Sequence, residues 1–135
     1  MASIDELEDK IRECEKEIEE IEEDIKGMEK GKQSMGLIHA DFHDIKEYVE
    51  PYDISGGDMW RGNLYTEAVD EQKCVSEGVE SAKESCKTTI KELDDCITKA
   101  KEMIEDLKER IRHYKDEIEE ILSAQACDEG TGESS

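Results

Sequence analysis

Apolar side chains fall at Ile4, Leu7, Ile11, Cys14, Ile18, Ile21, Ile25 and Met28, in alternating steps of three and four. Such alternation marks the seam of a heptad helix, where one narrow stripe meets a partner helix and the rest meets water. One line of the seam continues in steps of seven through Met35, Phe42 and Val49, whereas the other shifts by one residue, from Ile25 past polar Lys32 to Ile38 and Ile45. The spacing predicts one helix over residues 3–50 with a local adjustment near the cluster Gly27, Gly31 and Gly36. Each glycine costs a helix interior about 1 kcal/mol relative to alanine, so a kink or a close backbone contact is expected there. Pro51 then ends the helix, because it steers Glu50 away from helical geometry.

Residues 51–62, Pro-Tyr-Asp-Ile-Ser-Gly-Gly-Asp-Met-Trp-Arg-Gly, have no apolar period and are rich in turn formers, which makes them a loop. Beyond them a second helical pattern covers residues 63–124: Leu64, Ala68, Val75, Val79, Ala82 and Cys86, then an unbroken three-four alternation from Ile90 to Ile121. The consecutive four-residue steps around Cys86 insert locally into the heptad and relax supercoiling. Residues 126–135 have almost nothing to bury and are expected to form a disordered acidic tail. The expected fold is therefore all-α: a long antiparallel, coiled-coil-like two-helix hairpin over residues 1–125.

Charge selects the intrachain hairpin over a parallel dimer. Residues 5–24 carry twelve acids against three bases, while residues 87–115 carry eight bases against seven acids. Antiparallel folding sets these stretches side by side, whereas a parallel dimer sets the acidic stretch against its own copy. Matching Glu50 with about Asn63 across the loop puts Ile4 near residue 109 and leaves roughly the last 13 helical residues without an intrachain partner. Ile111, Tyr114, Ile118 and Ile121 or Leu122 would then be exposed. Either the helix end frays or the first helix bends to cover them, or they dock helices of another subunit in a three- or four-helix bundle.

Composition narrows the function classes. The 135 residues are 42% charged and 4% aromatic, with a net charge of −21. That surplus disfavours nucleic acid and anionic membranes, since both are approached through lysine and arginine. No apolar run nears the roughly 20 residues of a membrane-spanning helix, so no membrane insertion is expected, and the acidic start lacks a classical secretory signal. The protein is thus expected to be cytoplasmic when made. The odd set Cys14, Cys74, Cys86, Cys96 and Cys127 reads as reduced thiols, with Cys14 and Cys86 acting as small buried apolar residues.

Catalytic chemistry finds no footing, and no enzyme, cofactor or metal is expected. His39 and His43 lie one helical turn apart, but no third ligand is identifiable, and they read as solvated polar residues beside Phe42. The many carboxylates read as a solvated face, because a two-helix hairpin rarely builds the dry cleft that shifts a catalytic pKa.

Trp60-Arg61-Gly62 places the one tryptophan in the loop between the helices. An indole there caps the end of the seam, anchors a partner, or does both, and Gly62 lets the backbone pass closely beside it. A helix, a loop bearing W-x-G and a second helix in a small acidic chain resembles the ESAT-6/WXG100 superfamily. More narrowly, the charged heptad-rich first helix, residues 51–62 and the following Asn63-Leu64-Tyr65-Thr66-Glu67-Ala68 are similar to small helical partners of LXG toxins in Gram-positive bacteria.

That resemblance implies a non-enzymatic adaptor for type VII secretion, pairing with the helical N-terminal domain of an LXG-type toxin or with a second small helical protein. It also implies contact with the secretion machinery, and leaves export of the protein itself by that route open. The contact residues it suggests, together with the overhang, are Trp60, Gly62, Ile111, Tyr114, Ile118 and Ile121. An aromatic residue four positions before an acid, common near the end of the family's second helix, is replaced by Tyr114 before Ile118. The export signal is accordingly expected to be shared with the partner. The competing expectation is a general coiled-coil scaffold or chaperone, which has no need of Trp60.

Overall fold

The computed structural model describes residues 2–52 and 63–133. Two helices account for nearly all of them: α1, Ile4–Val49, and α2, Asn63–Glu133. Ser3 starts α1 as its N-cap, its hydroxyl accepting a hydrogen bond from the Glu6 amide at 3.2 Å, and Asp5 and Glu6 sit favourably at the positive end of the helix dipole. At the other end α1 stops before Pro51, and Gln72 donates through Nε2 to the carbonyls of Val49, at 2.6 Å, and Tyr52, at 2.9 Å. The carbonyls freed by the helix end thus find a donor on α2. α2 continues to Glu133, through the segment expected to be a tail. Once a helix is nucleated, each further residue adds a hydrogen bond at little cost, so loss of the apolar stripe need not end it.

The chain divides into two compact units. The first unit, Met1–Gly27 with Ile97–Ser135, contains the regular heptads. Its core is Leu7, Cys14 and Ile25 from α1 with Ile97, Ala100, Ile104 and Leu107 from α2. The Lys10 ammonium lies over the Tyr114 ring, 5.6 Å from its centre, and Ile4 and Ile121 wall one cleft. Advancing from Ile4 to Lys10 therefore moves back along α2, which makes the pairing antiparallel. Burial and the nearby Glu17 push the Cys14 thiol above its ordinary range, the behaviour of an inert packed sulfur. None of the five cysteines is in a disulfide.

This pairing corrects the expected register. Ile4 meets Ile121, twelve residues beyond the position inferred from matching Glu50 with Asn63. Ile111, Tyr114, Ile118 and Ile121 are consequently half-buried rather than left on a bare overhang. The loop cannot set the register: eleven peptide steps from Tyr52 to Asn63 reach up to roughly 36 Å. The seam sets it instead, bringing the apolar heptads of both helices together.

The second unit, Met28–Cys96, is antiparallel as well. Lys32 pairs with Asp94 at 2.6 Å and Lys46 with Glu80, so fourteen residues forward on α1 are fourteen back on α2. Gln72, rather than Asn63, stands at the end of α1, and the first nine residues of α2 extend beyond it. The seam here is also corrected. Ile38 and Ile45, expected to face inward, are exposed, while Lys32, His39 and Lys46 occupy the inward line that continues Ile25 in steps of seven. Partners on α2 accept the two lysines, and no one-residue shift is needed. Of the three glycines, only Gly31 stands against α2, where a Cβ would meet Leu93 at 3.7 Å; Gly27 and Gly36 face open space, and α1 runs through all three.

Candidate partner-binding surface

In the second unit, polar and apolar groups separate onto opposite sides of the helix pair. On one side, Lys46 bridges Glu80 and lies 3.8 Å from Glu50, whose carboxylate accepts from Ser76 at 2.9 Å. Lys83 is a buried cation, 8% exposed, with its ammonium 3.0 Å from His43 Nδ1. If the ammonium donates there, His43 is neutral with its proton on Nε2, where Glu47 accepts at 3.0 Å. The hydrogen bond from Lys46, with further help from its charge and those of Lys83 and Lys87, holds Glu80 below the usual carboxylate range despite partial burial; the same bond holds Lys46 above the usual lysine range.

These shifts set a pH window. A depressed carboxylate contributes stability above its unfolded pKa and loses it as pH falls through the folded value; a raised lysine contributes below its unfolded pKa and loses it as pH rises through the folded value. The melting temperatures of wild type and Glu80→Gln are therefore expected to differ between about pH 5 and 10 and to converge below roughly pH 4. Thermal melts across that range check it; a constant offset down to acid pH would deny the pair its role.

The opposite side carries large apolar side chains, several of them exposed. Steps of three and four place Ile38, Asp41, Ile45 and Tyr48 on one stripe of α1, beside the inward seam, with Tyr52 just past the helix end. The same rule places Leu64, Ala68, Glu71, Val75, Gly78 and Ala82 on one stripe of α2. The two stripes share a side, because Tyr48, Tyr52, Ala68, Glu71 and Val75 line one cleft of about 440 Å³. Tyr48 is 73% exposed, and Leu37 on the edge of the stripe 65%. The Tyr48 and Tyr52 rings stand 6.3 Å apart, tilted by 35°. Beyond the end of α1, Leu64, Tyr65 and Val69 also remain exposed. The arrangement can hold an apolar surface against water-filled surroundings or against another protein, and only the second recovers the burial energy, about 1.5–3 kcal/mol for each large side chain fully covered.

The residues singled out from the sequence are thus dispersed. Trp60 and Gly62 lie outside the described residues. Ile111, Tyr114, Ile118 and Ile121 belong to the seam of the first unit, where Leu122 beside them is half exposed. The apolar side of the second unit was missed, although a signal existed: the line Ile25, Lys32, His39, Lys46 keeps the heptad exactly where Ile38 and Ile45 leave it.

A second cleft, of about 600 Å³ in the first unit, is walled by Ala2, Ile121 and Ala124 together with acids, among them Asp116, Glu117 and Glu120, with His113 3.8 Å from Glu117. Among the described residues no group of three or more histidine, cysteine or carboxylate side chains is placed to hold a metal, and no helix is long and apolar enough to cross a membrane.

No curated protein and no solved structure matches the sequence closely enough to count as a relative. A family model does match, over residues 2–125, which takes in both helices and nearly the whole chain. A small all-α chain of two long helices, it belongs to the YwqH-like family.

Proposed function

We propose that this YwqH-like protein is a non-enzymatic adaptor for type VII secretion, pairing with the helical N-terminal domain of an LXG-type toxin or with a second small helical protein. The observation that carries this reading is the apolar side of the second unit, where Ile38, Ile45, Tyr48 and Val75 stay exposed in a chain with a net charge of −21. A highly charged protein that keeps large apolar side chains exposed in helical spacing on one side of its helix pair has a surface suited to another helix. The likeness of residues 51–68 to LXG-toxin partners supplies the biological setting, with Trp60 as an additional anchor and Gly62 as the residue that lets the chain pass it.

The test is export of a cognate toxin from cells lacking this protein, complemented with wild type or with Trp60→Ala. Deletion is expected to stop export, and Trp60→Ala to lower it at least tenfold while the melting temperature of the purified protein holds. Undiminished export from the deletion strain would end the adaptor reading and leave a general coiled-coil scaffold.

A further inference from the structure

We propose that the groove between the two exposed stripes of the second unit takes a single amphipathic helix from another protein, one whose apolar seam is flanked by lysine or arginine. The proposal rests on the adaptor reading for its biological setting, while its chemistry follows from the surface alone. The groove has two apolar rails, Ile38, Ile45 and Tyr48 on α1 and Ala68, Val75 and Ala82 on α2, spaced in the threes and fours that a third helix can follow. Between Val75 and Ala82 lies Gly78, over which a Cβ would meet nothing within 4 Å, so a partner backbone can come close.

Charge specifies the occupant. Asp41, Asp44, Glu67 and Glu71 border the rails, all exposed and none in an ion pair among the described residues. No lysine or arginine lies on this side between Leu37 and Tyr52 or between Leu64 and Ala82; Lys46 belongs to the inward seam, and Lys73 turns to the other side of α2. Three lysines of the unit are committed elsewhere, Lys32 to Asp94, Lys46 to Glu80 and Lys83 to His43. A second copy docking through the same side would bring these acids against one another. A helix with flanking bases instead finds an unpaired carboxylate on each border.

The probes are two synthetic helical peptides of about four heptads, both with leucine at the seam, one flanked by lysine and the other by glutamate. Binding to the full chain is measured by fluorescence anisotropy, with self-association followed by sedimentation. The lysine peptide is expected to bind at least tenfold more tightly than the glutamate peptide. Ile45→Asp and Tyr48→Asp, at exposed positions outside the inward seam and with unchanged helicity checked by circular dichroism, are each expected to weaken the lysine peptide at least tenfold. Met103→Asp, at an exposed position of the first unit, is expected to leave it unchanged.

This comparison separates groove binding from general attraction to an acidic protein. Each aspartate makes the chain more negative, so diffuse electrostatic binding would strengthen where docking fails. Unchanged or tighter binding to both groove variants would overturn the proposal, as would equal affinity for the two peptides. A homodimer that Ile45→Asp converts to monomer would overturn it too, by identifying a second copy as the occupant. Undiminished toxin export from the deletion strain, with peptide binding intact, would count against the adaptor reading and leave the groove assignment standing.

Discussion

Leu7→Ala is expected to destabilise the protein by about 2–5 kcal/mol, the range for emptying a fully packed leucine site, and to lower Tm by roughly 10 °C. Leu7 is the most completely buried side chain of the first unit, 1% exposed, although it lies within the second turn of α1. A residue so near a helix start would ordinarily fray, and only a partner of adequate length on α2 explains its burial. Ile4 beside Ile121 and Lys10 over Tyr114 bracket Leu7 and place it opposite Ile118. A double-mutant cycle of Leu7→Ala with Ile118→Ala is therefore expected to show a coupling of about 0.5–3 kcal/mol. Leu7→Ala with Leu107→Ala should be additive within about 0.5 kcal/mol, since Leu107 lies eleven residues, roughly 16 Å, further along α2. The register that starts by pairing Glu50 with Asn63 predicts the reverse, because it puts Leu7 next to Leu107. Urea denaturation of the four variants decides between them.

The contrast between the registers shows what was legible in the sequence and what was not. The start and stop of α1 could be read from local chemistry, because Pro51 acts on its immediate neighbour whatever the rest of the chain does. The core of the first unit could be read too: Leu7, Cys14, Ile25, Ile104 and Leu107 sit on strict heptad lines, and a line with no competing apolar face has one way to turn. The choice of partner residues across the pair was not legible. The twelve residues between Glu50 and Asn63 are long enough to permit many alignments, and the winning one follows from matching two long stripes. Once the register is wrong, the inward face of the second unit becomes unreadable as well. Lys32 and Lys46 look unfit for a seam until Asp94 and Glu80 are placed opposite them, so periodicity alone awards the seam to Ile38 and Ile45. The candidate surface was hidden by that same step, since its residues had been assigned to the core. The overhang lies at the other end of the pair: α2 runs past α1 at Leu64, Tyr65 and Val69 rather than at Ile111 to Ile121.

His39→Leu is expected to stabilise the protein by about 1–3 kcal/mol. His39 continues the inward line of Ile25 and Lys32, and its Nε2 is buried without a hydrogen-bond partner. A buried polar atom that gives up water and gains nothing in return costs that amount, and leucine fills a similar volume with no such debt. Its neighbours on the line behave differently. Lys46→Leu is expected to lose stability, because Glu80 is then left partly buried without the cation that holds its charge. The opposite signs at positions one heptad apart reflect one cause, the presence or absence of a partner on α2. Because Ile38 and Ile45 face away from this seam, His39→Leu should leave the affinity for the lysine-flanked peptide unchanged while thermal melts show the rise in Tm. A fall in Tm, together with lost peptide binding, would mean that α1 is rotated about its axis in solution, carrying Ile38 and Ile45 inward as the simple apolar period of the chain suggests and closing the groove.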